Sequence, residues 1–343
     1  MPSFKGGWRV GVLCFGVCYL FLIGLHRSYH GNLVTLLQGK GISKVPMEHC
    51  NCSRPLRTTQ SVGVGRYNGT SCSKDAFSRG PGQKVVSFAL YGDRNSTHWK
   101  EKGYFEGIRG NLETMEKMLP EGIMRIYFDL EPGDLILDEL CHLACQSQVL
   151  DLCHARKLPG TPMKDAHRVF PMMWRFFPTL DWQVDQCFSR DLDSRFSERE
   201  KTASNEWLQS NKSFHVIRDH PHHGVPMLGG MWACRFDLNP LVRKQWRQSW
   251  IKSKKDPILW SKRDAYGADQ TFLRRYVWRW AKNDSVQHDS YSCKQFPEAR
   301  PFSTQRLTSP NNFVACVTSE GITLNITCPE RCRPKEHQDW IYC

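Results

Sequence analysis

The chain has 343 residues, room for one large domain or two small ones, and its 40% hydrophobic and 12% aromatic content supports a packed core rather than a disordered chain. A formal charge of +13, spread along the chain, favours anionic partners: phosphates, nucleotide sugars, acidic glycans or a membrane surface, with a basic solubilising surface as the plain alternative. No zinc-finger or RNA-binding signature is present, so nucleic acid is not an expected partner.

Lys5 and Arg9 precede an apolar run from Val10 to Leu25, closed by His26 and Arg27. The run is slightly short for a membrane span, but Trp8 and the flanking basic residues extend its reach. It lacks a small-residue cleavage site, so an uncleaved signal-anchor over 10–27 is expected behind a short cytoplasmic tail, 1–9. The protein would then be single-pass type II in the Golgi or ER membrane, with its body in the lumen. Six sequons, at Asn51, Asn68, Asn95, Asn211, Asn283 and Asn325, agree with that compartment, as do 15 cysteines. Cys14 and Cys18 lie in the apolar run, and the odd number remaining implies at least one unpaired thiol.

Residues 28–82 show no sustained periodicity and read as a lumenal stem, with Gly80-Pro81-Gly82 as its boundary. Val85–Leu90 is a predicted buried strand ending at Tyr91-Gly92-Asp93. A helix over Tyr104–Met118, a strand over Ile123–Asp129 and a helical stretch over Asp134–Gln148 follow. Leu150–Leu158 fits a strand or a helix. Val184–Phe188 is a further strand. Ser197 and Glu200 have capping-box spacing, opening a helix to about Gln209. A strand over Ser213–Ile217 and helical stretches over Trp246–Ile251 and Asp269–Ala281 complete a body at 83–300. A Cys-rich polar extension occupies 301–343. Alternating strands and helices predict an α/β fold with a mainly parallel sheet, whose ligands bind at the carboxyl ends of the strands.

Asp191-Leu192-Asp193 follows one such strand end. In an extended chain residues i and i+2 point the same way, so both carboxylates can face one hard divalent cation, Mn²⁺ or Mg²⁺. Alone, the pattern is more often a solvated turn. Arg175, within the apolar Met172–Pro178 run, and Arg190 and Arg195 beside the aspartates can fork a diphosphate or simply snorkel. Arg218-Asp219-His220-Pro221-His222-His223 can hydrogen-bond a substrate; Pro221 disrupts the spacing of a histidine metal site. Gly229-Gly230 allows close backbone approach to a ligand or makes a plain turn. Trp232 offers a face to sugar C–H groups. Asp269 either caps a helix or joins Gln270 at a site. His288 is either a structural histidine or a third cation ligand.

In order, the strand with Tyr91-Gly92, Asp191-Leu192-Asp193, Gly229-Gly230, Asp269-Gln270 and His288 resemble the GT-A glycosyltransferases over roughly residues 84–295. The likeness is greatest to the retaining families of glycogenin and the lipopolysaccharide galactosyltransferases, and to related uncharacterised glycosyltransferase sequences. The resemblance implies a GT-A, Rossmann-like, mixed but mainly parallel sheet flanked by helices. It also implies a nucleotide-sugar donor (UDP-sugar first), a glycan or glycoprotein acceptor, and a cation held by Asp191, Asp193 and His288. Gln270 would lie by the donor sugar. Tyr91 would border the base, with Gly92 beside it, and Arg175 or Arg195 would stabilise the leaving diphosphate. If the reaction inverts, Asp219 or Asp269 would be the base. The strand before Asp191 is less apolar than the family pattern. The competing readings are a non-catalytic lumenal glycan-binding or cargo protein and a metal-dependent phosphohydrolase, which would need a second metal.

Overall fold

The computed structural model describes residues 44–59, 71–93, 97, 101–158, 168–260, 266–317 and 320–343. The expected signal-anchor, Asn68 and Asn95 lie outside them; among the described residues no helix is long and apolar enough to cross a membrane. The other four sequon asparagines, Asn51, Asn211, Asn283 and Asn325, are exposed.

The compact unit begins at Lys44, well inside the segment read as a stem. A small antiparallel pair, β1 (Lys44–Pro46) and β2 (Ser53–Pro55), is followed by a short helix α1 (Lys74–Ser78). The main sheet contains β3 (Gln83–Leu90), β4 (Gly122–Phe128), β5 (Leu150–His154), β6 (Val184–Ser189), β7 (Phe214–Arg218), β8 (Trp232–Arg235) and β9 (Ser285–Asp289). Their spatial order is β5-β4-β3-β6-β8-β7-β9. All neighbouring pairs are parallel except β6–β8 and β7–β8, so β8 alone runs against the rest. This is the mixed, mainly parallel α/β sheet expected of a GT-A domain.

Helices α2 (Tyr104–Met118) and α3 (Leu135–Gln146) make the crossovers β3–β4 and β4–β5. Together with α4 (Glu198–Leu208) they cover one face, where Val86, Phe88, Met124, Ile126 and Trp207 are buried in one core. A 3₁₀ segment (Pro171–Leu180), α5 (Pro240–Ser253) and α6 (Ala268–Phe272) build the other core with Val85, Tyr127, Trp232, Trp246 and Trp250. Alternation along β3 sends Val85 to one face and Val86 to the other, which is how a strand buried on both sides reads as a continuous apolar run. Leu150–His154 resolves as a strand because it pairs in register with β4 along Met124–Phe128. Ser197 accepts from the Glu200 backbone N–H at 3.2 Å, but the Glu200 carboxylate turns to Arg190, so only half of the predicted capping box forms.

The described part of the expected stem is tied to the body. Disulfides Cys50–Cys141 and Cys52–Cys145 join it to α3, and Cys72–Cys153 joins it to β5. Buried Arg54 pairs with Asp75 at 3.2 Å, and Arg79 with Asp151 of β5 at 2.7 Å. Neither cation reads as buried from its local sequence. Cys293–Cys332 and Cys328–Cys343 fasten the C-terminal extension, and Cys187, Cys234 and Cys316 remain as buried thiols. Non-reducing peptide mapping of residues 44–343 should return these five linked pairs and alkylate only those three cysteines after denaturation; a linked Cys316 would contradict the arrangement.

Candidate active site

The sheet reverses direction of growth at β3 and β6: β4 and β5 extend it on one side, β8, β7 and β9 on the other. In open α/β sheets the crevice at such a switch point, beyond the carboxyl ends of the strands, holds the ligand. Here a cleft of about 600 Å³ lies there. Tyr91 and Gly92 from the end of β3, Asp191 and Asp193 after β6, Gly229 and Gly230 before β8, and Asp269 and Gln270 of α6 all line it, together with Arg175. Gly92 has φ 103°, a left-handed conformation that a side chain would strain. Tyr91 packs edge-on against Phe170 and Trp174, and burial raises its phenol pKa.

The two aspartates occupy a turn rather than an extended strand. Buried Asn111 of α2 donates to the Ser194 carbonyl at 2.9 Å, and Arg195 donates to the Leu192 carbonyl at 3.0 Å. A Cβ on Gly107 would meet the Leu192 carbonyl oxygen at 2.0 Å, so α2 needs a glycine there to let the turn dock. Leu192 is buried while Asp191 and Asp193 are half-buried on the cleft, so the expected i, i+2 relation survives the turn.

Arg175 is nearly buried and bridges two carboxylates. One terminal nitrogen pairs with Asp191 Oδ1, and the other donates to Asp269 Oδ2 at 2.7 Å. Sequence had offered Arg175 to a diphosphate; the fold gives its fork to two protein carboxylates. Gly229 and Gly230 make room for them. A Cβ on Gly229 would lie 1.7 Å from Asp269 Oδ2, and one on Gly230 would lie 1.9 Å from Asp191 Oδ2. Asp269 does not cap its helix: Gly267, with φ 78°, occupies that position, and Asp269 Oδ1 accepts from the Gln270 N–H at 2.8 Å.

Five expected site residues stand outside the cleft lining. Arg190 is buried against Glu200 and donates to the Ser189 carbonyl at 2.8 Å. Arg195 is spent on the turn's own carbonyls. Trp232 is fully buried, stacked on Trp246 with ring centres 5.0 Å apart, because β8 is an interior strand. His288 of β9 is buried with both nitrogens engaged, Nδ1 with His215 Nε2 at 2.9 Å and Nε2 with Glu206 at 3.0 Å. Asp219 is buried among Arg199, Arg306, Ser290 and the Val314 N–H, where it anchors the C-terminal extension. Burial alone would raise its pKa; the Arg199 charge, with its hydrogen bonds and Arg306, outweighs this and holds it at about 2. A carboxylate so fully satisfied does not serve as a base.

The cleft also contains residues to which sequence assigned no role: Lys102, Tyr104 and Tyr266. His223 came within the histidine cluster, without an individual role. The His223 Nδ1 accepts from the Asp219 N–H at 3.2 Å, and burial, then His220, lowers its pKa to about 4. The neutral ring therefore carries its proton on Nε2, which makes it a donor and not a metal ligand. Among the described residues of the cleft, Asp191, Asp193 and Asp269 lie near Arg175, which bridges two of them, and Lys102. Burial, then the charge of Asp191, raises the Asp193 carboxyl to about 6. Two crowded carboxylates are an oxygen-rich donor pair that suits Mn²⁺ or Mg²⁺. Among the described residues, Asp289, Cys293 and Cys332 are the one group with three closely spaced ligand atoms, and those two sulfurs are bonded to each other.

No family model and no curated protein sequence matches the chain. Among solved structures, it is similar to a glycosyltransferase involved in glycosylation of the major capsid of PBCV-1, at 14% identity and TM-score 0.34, over 64% of this chain and 88% of that one. It is similar to the mannosyltransferase Ktr4p from S. cerevisiae, at 9% identity and TM-score 0.36, over 77% and 82% respectively. Mouse xyloside xylosyltransferase 1 shows 9% identity and TM-score 0.32 over 62% and 85%. Likeness at this level decides nothing about activity, which has to be read from the cleft.

Two outcomes follow from this geometry. Gly230→Ala should leave the protein folded at a cost of about 1–3 kcal/mol, seen in thermal melts, because the new methyl displaces Asp191. Asp219 has a folded pKa below the unfolded value of about 3.9, so its stabilisation is complete above that pH and is lost as pH falls toward 2. Asp219→Asn should flatten the acid limb of a urea-stability profile between about pH 4 and 2, by about 2 kcal/mol; an unchanged limb would show that the ion pairs do not form.

Proposed function

We propose that this chain is a lumenal glycosyltransferase that moves a sugar from a nucleotide-sugar donor to a hydroxyl of a glycan or glycoprotein. The carrying observation is the cleft at the sheet's switch point, with the crowded pair Asp191 and Asp193 in its lining. A divalent cation held by these two carboxylates would offset their charge and receive an anionic diphosphate. A cation bound there supplies neutralisation of the charge that builds on the departing diphosphate. The single-pass type II topology and the Golgi or ER lumen rest on the apolar run at 10–27, the sequons and the disulfides.

The remaining roles belong to the chain's own groups. Tyr91, beside the left-handed Gly92, borders the nucleoside end of the cleft. His223 donates its Nε2–H to a phosphate or sugar oxygen. Lys102, ion-paired with Glu320 at the rim, adds a positive charge near the diphosphate. Gln270 presents its amide beside Asp269, toward the sugar. Both Asp269 oxygens already accept hydrogen bonds, so Asp269 is poorly set up to take the acceptor's proton. The leaving phosphate oxygen is the better acceptor of that proton, which favours retention of configuration.

The test is a donor screen with Mn²⁺, beginning with UDP-sugars, in which nucleoside diphosphate release is recorded beside the product anomer by NMR. One donor should be turned over, and Asp193→Ala should lower kcat/KM at least 100-fold with an unchanged melting temperature. Full activity in Asp191→Ala/Asp193→Ala would remove the cation reading, and a non-catalytic glycan-binding role would follow from silence with every donor.

A further inference from the structure

We propose that Arg175 is a latch that makes cation binding and diphosphate binding to this cleft mutually dependent. The inference rests on the reading of Asp191 and Asp193 as the cation's carboxylates. The guanidinium is 4% exposed, and its terminal nitrogens hold Asp191 and Asp269. Its Nε is buried without a partner, so the group is held by the two carboxylates rather than by a full set of hydrogen bonds. Gly229 and Gly230 let both carboxylates sit against the guanidinium, since a Cβ at either position would collide with them. Asp191 thus already shares a positive charge with Asp269 before any cation arrives.

An arginine does not resolve that conflict by losing its proton. A cation approaching Asp191 meets a fixed positive charge on the same carboxylate. A diphosphate removes the conflict, because it brings negative oxygens to both cations at once. It accepts hydrogen bonds from the guanidinium, which lines the cleft, and offers oxygens to the metal. Cation and diphosphate then each raise the other's affinity by the same factor, as linkage requires. Asp269 keeps the guanidinium in place throughout, which makes Arg175 a positioning residue whose loss affects binding before chemistry.

The experiment measures Mn²⁺ binding to the full protein by the EPR signal of free Mn²⁺. It is run with no nucleotide, with UDP and with GDP, and corrected for the metal–nucleotide complex in buffer. In the wild type, one nucleotide should tighten Mn²⁺ at least tenfold. Arg175→Met leaves Asp269 buried and unpaired, so Arg175→Met/Asp269→Asn is the main variant, with its melting curve as the folding check. It should bind Mn²⁺ alone at least tenfold more tightly than the wild type, with a nucleotide effect at least threefold smaller than the wild type's. Arg175→Lys, which keeps the charge, should retain weak binding of the metal alone. If the double variant binds Mn²⁺ no more tightly than the wild type while Asp191→Ala/Asp193→Ala abolishes binding, the latch is wrong and the cation site stands. If the wild type takes up no Mn²⁺ under any condition, the cation site itself fails and the latch goes with it.

Discussion

Asp191 and Asp269 approach one guanidinium from opposite sides, and most of this structure can be read as the means of bringing them there. Asp191 arrives at the end of β6, Asp269 on the first turn of α6, Arg175 on a 3₁₀ segment and the clearing glycines just before β8. Four pieces of chain distant in sequence therefore converge on one charge cluster. Removing the guanidinium would leave the Asp269 carboxylate buried without compensation, which typically costs several kcal/mol. The cluster is also the floor of the cleft, so the interaction that fixes the fold's upper end fixes the chemistry available there.

Elsewhere the protein uses buried arginine–carboxylate pairs as staples. Arg54, Arg79 and Arg125 gather around Asp75, Asp151 and Asp181 beneath one end of the sheet, and Arg199 and Arg306 close on Asp219 at the other. Such pairs contribute little net stability compared with apolar packing, but they are demanding in geometry. One set fastens the N-terminal segment and the other the C-terminal extension, each beside disulfides. Several arginines are consequently internal, and their charge is met by buried carboxylates rather than presented at the surface.

The elements were largely legible because their signals are local. The Tyr104–Met118 helix, the strand before Tyr91 and the strand before Asp191 were each within a residue or two of their observed bounds. The site was legible in part. Tyr91, Gly92, Arg175, Asp191, Asp193, Gly229, Gly230, Asp269 and Gln270 do share one cleft, since strand-end loops of a parallel sheet open on one side. Asp219, His288, Arg190, Arg195 and Trp232 were misread for one reason: each is polar or aromatic in a motif-like string, and each is satisfied within the protein, Arg190 and Arg195 by groups within ten residues and the other three by residues farther along the chain. Glu206 and His215 for His288, or Trp246 for Trp232, leave no mark beside the residue they occupy.

Sequence by itself determined the fold class, a mainly parallel α/β sheet, and the placement of Asp191 and Asp193 just past a strand end, because periodicity and strand ends act over a few residues; β8, β9 and the strand order came from pairing across the sheet. Only the tertiary structure decided which charges are free to meet a ligand. Ion pairing depends on distance through space, and the folded chain brings Arg175 between two aspartates that sequence had left apart.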